Sequence, residues 1–144
     1  MRTASPLIIG LSIVGSIACG DYGPISESIA VSVSKGPGTR LVLTEHAALN
    51  WDRVCVFGPY SPDDQVEAVT GIIGAGEHAY DIRSSDTINV LMFIEGGRIA
   101  TSVAHPRGRG DFGPEVVGKC YSRDQARFLV RTPPAGSWGS IGPS

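Results

Sequence analysis

Three histidines are the first residues in this chain with the makings of acid–base or metal chemistry. Glu45 precedes His46, Glu77 precedes His78, Asp81 follows three residues after His78, and His105 has no acid beside it. A zinc site wants short, regular spacings such as H-x3-H, and this chain has none. The three are read as surface histidines in loops, with a His–carboxylate pair as the alternative. Cys55 has no base in a surrounding motif, so it is not read as a nucleophile. Gly136-Ser137-Trp138-Gly139 lacks the G-x-S-x-G spacing of a hydrolase elbow. Gly71-Ile72-Ile73-Gly74-Ala75-Gly76 has the wrong order for a dinucleotide loop and follows a helix rather than a strand. No catalytic set, metal site or cofactor is therefore expected.

What remains is recognition chemistry. Trp51 and Tyr60 bracket an apolar segment and are either anchors of a strand or a recognition surface. Arg107 and Arg109 sit among glycines, which is expected to leave their guanidinium groups free. Arg109-Gly110-Asp111 is read as part of that glycine-rich loop. Residues 19–97 hold 4 basic and 11 acidic groups, and residues 98–131 hold 7 and 3. The imbalance suits either internal complementarity or a basic patch for an anionic envelope component or an acidic protein partner. The formal charge of −2 argues against a general nucleic-acid binder.

The elements that must position these residues are short. In 144 residues, 19 Gly and 10 Pro favour turns and strands over a helical bundle, while 42% hydrophobic residues are enough for one packed core. Leu41–Leu43 is a short strand. In 51–57, Val54 and Val56 share one strand face, and Cys55 and Phe57 share the other. Asp52 or Arg53 is suited to satisfying backbone groups at its start. Ser61-Pro62-Asp63-Asp64 opens a helix that runs to Thr70 and stops at Gly71, with Ser61 as cap and Val66, Val69 and Ile73 on one face. Gly96-Gly97 between two apolar runs predicts a tight hairpin over 88–104. In that register Ile94 faces Ile99, Met92 faces Thr101 and Val90 faces Val103, with Glu95 and Arg98 paired across the turn. A last strand covers 126–131, after a loop over 105–118. The expected architecture is α+β: one small antiparallel sheet with one packed helix. The domain spans 39–131, with a flexible tether over 19–38, in which Ile29, Val31 and Val33 hint at a strand, and a flexible tail over 132–144.

The N-terminus reads as an address. Arg2 precedes an apolar stretch from Leu7 to Ile17, too short to span a bilayer but right for a secretory signal. It ends in Ser16-Ile17-Ala18-Cys19-Gly20, which resembles the lipobox of bacterial membrane lipoproteins. The resemblance implies removal of residues 1–18, a diacylglycerol on Cys19, and a membrane anchor. Gly20 rather than Asp after Cys19 implies the periplasmic face of the outer membrane, with the inner membrane as alternative. With Cys19 so modified, Cys55 and Cys120 remain, and export to an oxidising compartment favours a disulfide between them over two buried thiols.

Trp51-Asp52-x-Val54 running to Pro59-Tyr60 also resembles a segment of small exported bacterial proteins, and that resemblance carries no activity. The expected role is a non-enzymatic cell-envelope lipoprotein that binds or scaffolds. The alternatives are a periplasmic inhibitor or immunity protein, and a small envelope hydrolase using loop His and Asp residues.

Overall fold

A computed structural model describes residues 22–144; the signal segment and Cys19 lie outside the described residues. Nine principal elements follow one another: α1 (Pro24–Ser34), β1 (Arg40–Val42), β2 (Arg53–Phe57), α2 (Asp63–Thr70), β3 (Ile88–Glu95), β4 (Arg98–Pro106), β5 (Lys119–Ser122), β6 (Arg127–Val130) and β7 (Ile141–Pro143). Short 3₁₀ turns occupy Leu43–Glu45, Ala75–His78, Ile82–Ser84 and Arg107–Arg109. The fold is α+β, but with two helices and two antiparallel sheets rather than one of each. One sheet has the order β4-β3-β2-β5 and the other β1-β6-β7.

The strand β2 alternates as its sequence implies, and both of its faces are buried. Val54 and Val56 join a first core with Ile29, Leu41, Leu43, Trp51, Leu91, Phe93, Phe112, Phe128 and Ile141. Cys55 and Phe57 join a second with Val66, Ile82, Val90, Met92 and Ile94. The first core fills the space enclosed by α1, the three-stranded sheet and one face of the four-stranded sheet. The second lies on the opposite face, under α2 and the 3₁₀ turns that follow it.

The hairpin forms at Gly96-Gly97, whose φ angles of 56° and 76° suit a primed turn that matches the strand twist. Ile94 faces Ile99 and Glu95 faces Arg98 as expected, but a bulge between Phe93 and Ile94 then shifts the register by one. Met92 faces Ser102 and Val90 faces Ala104, not Thr101 and Val103. Glu95 and Arg98 stand opposite without being among the ion pairs of the described residues. The helix α2 begins at Asp63; Ser61 instead donates its hydroxyl to the Gly58 carbonyl at 2.7 Å. Val66 is buried, but Ile73, beyond the helix end, is 96% exposed.

Two larger corrections concern the ends. Residues 24–34 are a packed helix, neither a tether nor a strand. Ile25, Ile29 and Val33 recur at intervals of four and pack into the first core. Pro24 occupies the first turn, where its missing N–H costs nothing, and Glu27 faces the positive helix end. The residues 132–144 are not a loose tail either. The strand β7 pairs with β6, Ile141 is fully buried, and Gly113 N–H donates to its carbonyl at 2.8 Å. Here Gly139 lies so close to the Gly113 backbone that any Cβ would collide with it, which is how a Gly-rich segment still folds tightly.

Candidate functional site

Cys55 and Cys120 face each other directly across β2 and β5, with Cα atoms 3.9 Å apart, and are joined as a disulfide. Cys55 is fully buried and Cys120 half-buried. Arg53 spans the bridge and α2: its Nη2 donates to the Thr70 carbonyl at 2.6 Å, and its Nη1 lies 3.7 Å from Cys120 Sγ. A cation at that carbonyl also meets the negative end of α2. Asp52 accepts from Gly96 N–H at 2.8 Å. Both residues do satisfy backbone groups, though on elements remote in sequence.

The histidines are not a surface trio. His105 lies in β4, opposite Asn89, and is fully buried. Its Nε2 faces the Arg109 carbonyl at 3.2 Å, an acceptor only, so that nitrogen carries the proton. Nδ1 is then the acceptor, and the fully buried Ser26 donates to it at 2.7 Å. Burial lowers the His105 pKa to about 4, against the opposing pull of the Arg109 carbonyl, so the ring is neutral at pH 7. A serine–histidine pair closed off in this way fastens α1 to β4. His46 repeats the device: Ser28 Oγ lies 2.6 Å from Nδ1 and Ser32 Oγ 3.5 Å from Nε2. Burial lowers the His46 pKa too, partly offset by Glu45. Only His78 is exposed. No group of three His, Cys, Asp or Glu residues suited to a metal ion occurs among the described residues.

Trp51 is a core residue, not a recognition surface. It is 4% exposed, meets Phe93 edge-on with centroids 5.2 Å apart, carries the Arg123 guanidinium 4.7 Å above its ring, and donates to the Ala47 carbonyl. Arg107 and Arg109 are not free. Arg107 grips Asp111 with two bonds of 2.8 and 3.0 Å and donates to the Asp86 carbonyl at 2.7 Å. Those bonds to Asp111 raise its already high pKa. Arg109 makes a two-pronged bond to Glu27 of α1 at 2.6 and 3.0 Å. The Arg109-Gly110-Asp111 tripeptide thus has both its charges paired, and of the four ion pairs among the described residues only Arg109–Glu27 joins the basic segment to the acidic one.

These bonds assemble a surface that the sequence does not announce. The Trp138 ring stacks on the fixed Arg107 guanidinium at 5.1 Å. Tyr60 N–H donates to the Ser85 carbonyl at 3.2 Å, next in the chain to Asp86, whose carbonyl Arg107 grips. Tyr60 is 59% exposed and Trp138 37%. Tyr60 also holds φ at 60°, a left-handed conformation that is costly for a bulky residue. Of the four residues singled out for binding, the fold fastens Tyr60 and Arg107 to the neighbouring residues Ser85 and Asp86, buries Trp51 and ties Arg109 to α1. Trp138 completes the cluster, and its indole followed by glycine in a Pro-rich segment was its only signal.

A second surface lies on the outer face of the three-stranded sheet. Arg40 faces Leu129 and Val42 faces Arg127, and these four side chains with Phe128 and Ser144 line a groove of about 340 Å³. No helix among the described residues is long and apolar enough to cross a membrane. No family model, curated protein or solved structure matches this chain.

Proposed function

We propose that this chain is a non-enzymatic binding domain of the bacterial cell envelope, anchored through a lipid on Cys19. The observation that carries the reading is the Tyr60–Arg107–Trp138 cluster. Tyr, Trp and Arg are the side chains that dominate binding energy at protein interfaces. Here Asp111 and the Asp86 carbonyl already hold the arginine still, so little ordering is left to be done on association. The buried Cys55–Cys120 bridge supports export, because such bonds persist in oxidising compartments. Ser26 and His105, the pair nearest to hydrolytic machinery, are sealed in the interior, which favours binding over hydrolysis. Only residues 20–23 separate Cys19 from α1. Fully extended they reach about 14 Å, so the anchored domain sits close to the membrane.

Two measurements test this. A fatty-acid analogue should label the wild-type chain and not Cys19→Ala, and that variant should leave the membrane fraction. Unchanged membrane association of Cys19→Ala overturns the anchor. Crosslinking in whole envelopes should capture one defined partner, lost in the Tyr60→Ala/Trp138→Ala double variant. Capture of a toxin or hydrolase by the same cluster turns the reading into that of an inhibitor or immunity protein.

A further inference from the structure

We infer that the groove on the outer face of β1 and β6 docks an acidic, extended peptide segment of a partner protein. The inference names a second contact surface; it rests on the reading of this chain as a binding protein but not on the lipid anchor.

Arg40 and Arg127 lie diagonally on adjacent strands of one face, a relation that places Cβ atoms about 7–8 Å apart. Both side chains are exposed, so this face carries two positive charges on neighbouring positions. The ion pairs of the described residues are Arg83–Asp63, Arg107–Asp111, Arg109–Glu27 and Arg131–Glu115, and none includes Arg40 or Arg127. Arg127 bonds only a carbonyl, that of Asp124, at 3.2 Å. Farther along, Lys119 and the Arg131–Glu115 pair continue the surface, and Glu115 is already held by two bonds from Arg131. A carboxylate arriving at this face meets two arginines without an acidic partner.

The strand β1 lies at the edge of its sheet. Val130 N–H donates to the Thr39 carbonyl, and Leu43 N–H donates to that of Ala126. Residues 39, 41 and 43 therefore turn their amide groups toward β6. In an antiparallel ladder the intervening residues turn theirs away, so the N–H and C=O of Arg40 and Val42 face outward, with no partner among the described residues. An extended peptide that adds to this edge brings alternate side chains over the groove. A three-residue edge is too short to select a strand by itself. The two guanidinium groups supply the selection, and Val42 and Leu129 supply an apolar floor. An anionic membrane surface satisfies the charges but has no strand to offer the edge, which is why a peptide is the favoured occupant.

The test uses the full chain in uncharged detergent micelles and a synthetic, fluorescently labelled peptide of alternating Glu and Val. The peptide should bind, and its affinity should fall about tenfold or more between 50 and 300 mM salt. Arg40→Glu and Arg127→Glu should each weaken binding about tenfold, and Arg98→Glu, on the far edge strand, should leave it unchanged. Both groove substitutions are at exposed positions, and an unaltered melting temperature verifies the fold. N-methylation of alternate peptide amides should weaken binding, whereas a Lys–Val peptide should not bind. No binding of the Glu–Val peptide, or binding indifferent to both groove substitutions, overturns the proposal. So does phosphatidylglycerol added to the micelles, if it displaces the peptide and is itself released by the double charge reversal; the occupant is then a membrane. Failure of fatty-acid labelling at Cys19 overturns the anchor and leaves this result standing.

Discussion

The two cores differ in how far along the chain they reach. Every residue of the second core lies between Cys55 and Cys120, inclusive, so one disulfide encloses it. The first core reaches beyond the bridge at both ends: Ile29, Leu41, Leu43, Trp51 and Val54 precede or border the enclosed segment, Ala126, Phe128 and Ile141 follow it, and Val56, Leu91, Phe93, Val103, Phe112 and Val116 come from within it. Their attachments differ as well. The helix α2 is held by apolar contacts and by Arg53 on its last carbonyl, with no histidine among them. The helix α1 is held in part by hydrogen bonds to two neutral histidines. The second core is thus local and stapled, whereas the first is assembled over long range and responds to protons.

The strongest way to break this contrast is to remove the staple. The bridge closes a loop with a sequence separation of 65, worth roughly 4 kcal/mol in the chain-entropy model. The Cys55→Ala/Cys120→Ala variant should lose about that much in urea unfolding and expose the amides of α2 and β3 to hydrogen exchange before those of β6. Loss confined to the first core contradicts the contrast.

Acid acts on the other core. The His105 pKa of about 4 lies below the ordinary 6.5, so the unfolded chain binds the proton more readily. Stability is complete above pH 6.5 and falls as pH drops toward 4, by up to about 3 kcal/mol. His46 acts in the same direction. Hydrogen exchange corrected for its intrinsic pH dependence should show α1 losing protection over this window while α2 keeps it. In His105→Gln the pH dependence should be flatter. Equal loss of protection in both helices removes the distinction.

The smallest effect separates the two arginines. Arg107→Gln leaves part-buried Asp111 without its cation and should cost about 1–2 kcal/mol in thermal unfolding. Arg109→Gln breaks an exposed pair with Glu27 and should move the melting temperature less. The reverse order shows that the α1 contact, not the loop, is what these charges stabilise.

Legibility followed the same division. The second core was largely readable. The acidic start of α2, its stop at Gly71, the alternation of β2 and the Gly96-Gly97 turn are all local signals, and the disulfide joins the two cysteines left once Cys19 is read as lipidated. The first core was not. Ile29, Val31 and Val33 fit a period of two, and the decisive spacing of four from Ile25 was hidden among serines whose partners, His46 and His105, are supplied only by the fold. His105 reads as a loop residue in sequence because β4 runs two residues beyond the apolar stretch of the hairpin. β5 and β7 span four and three residues, too short for any periodicity, and exist because β2 and β6 offer them a ladder. Trp138 was lost for the same reason, since nothing near it in sequence predicts Arg107 beneath its ring.

The disulfide has a mechanical consequence as well. If the chain is anchored at its N-terminus as proposed, tension against a partner gripping the C-terminal strands runs through α1, β1, β6 and β7. It meets the covalent bond at Cys55 and Cys120 and bypasses everything between them. The enclosed 65-residue separation withholds about 220 Å of extensible length. A pulled molecule surrenders the parts of its first core that lie outside the bridge and goes taut with its second still folded, and it yields the rest only after reduction.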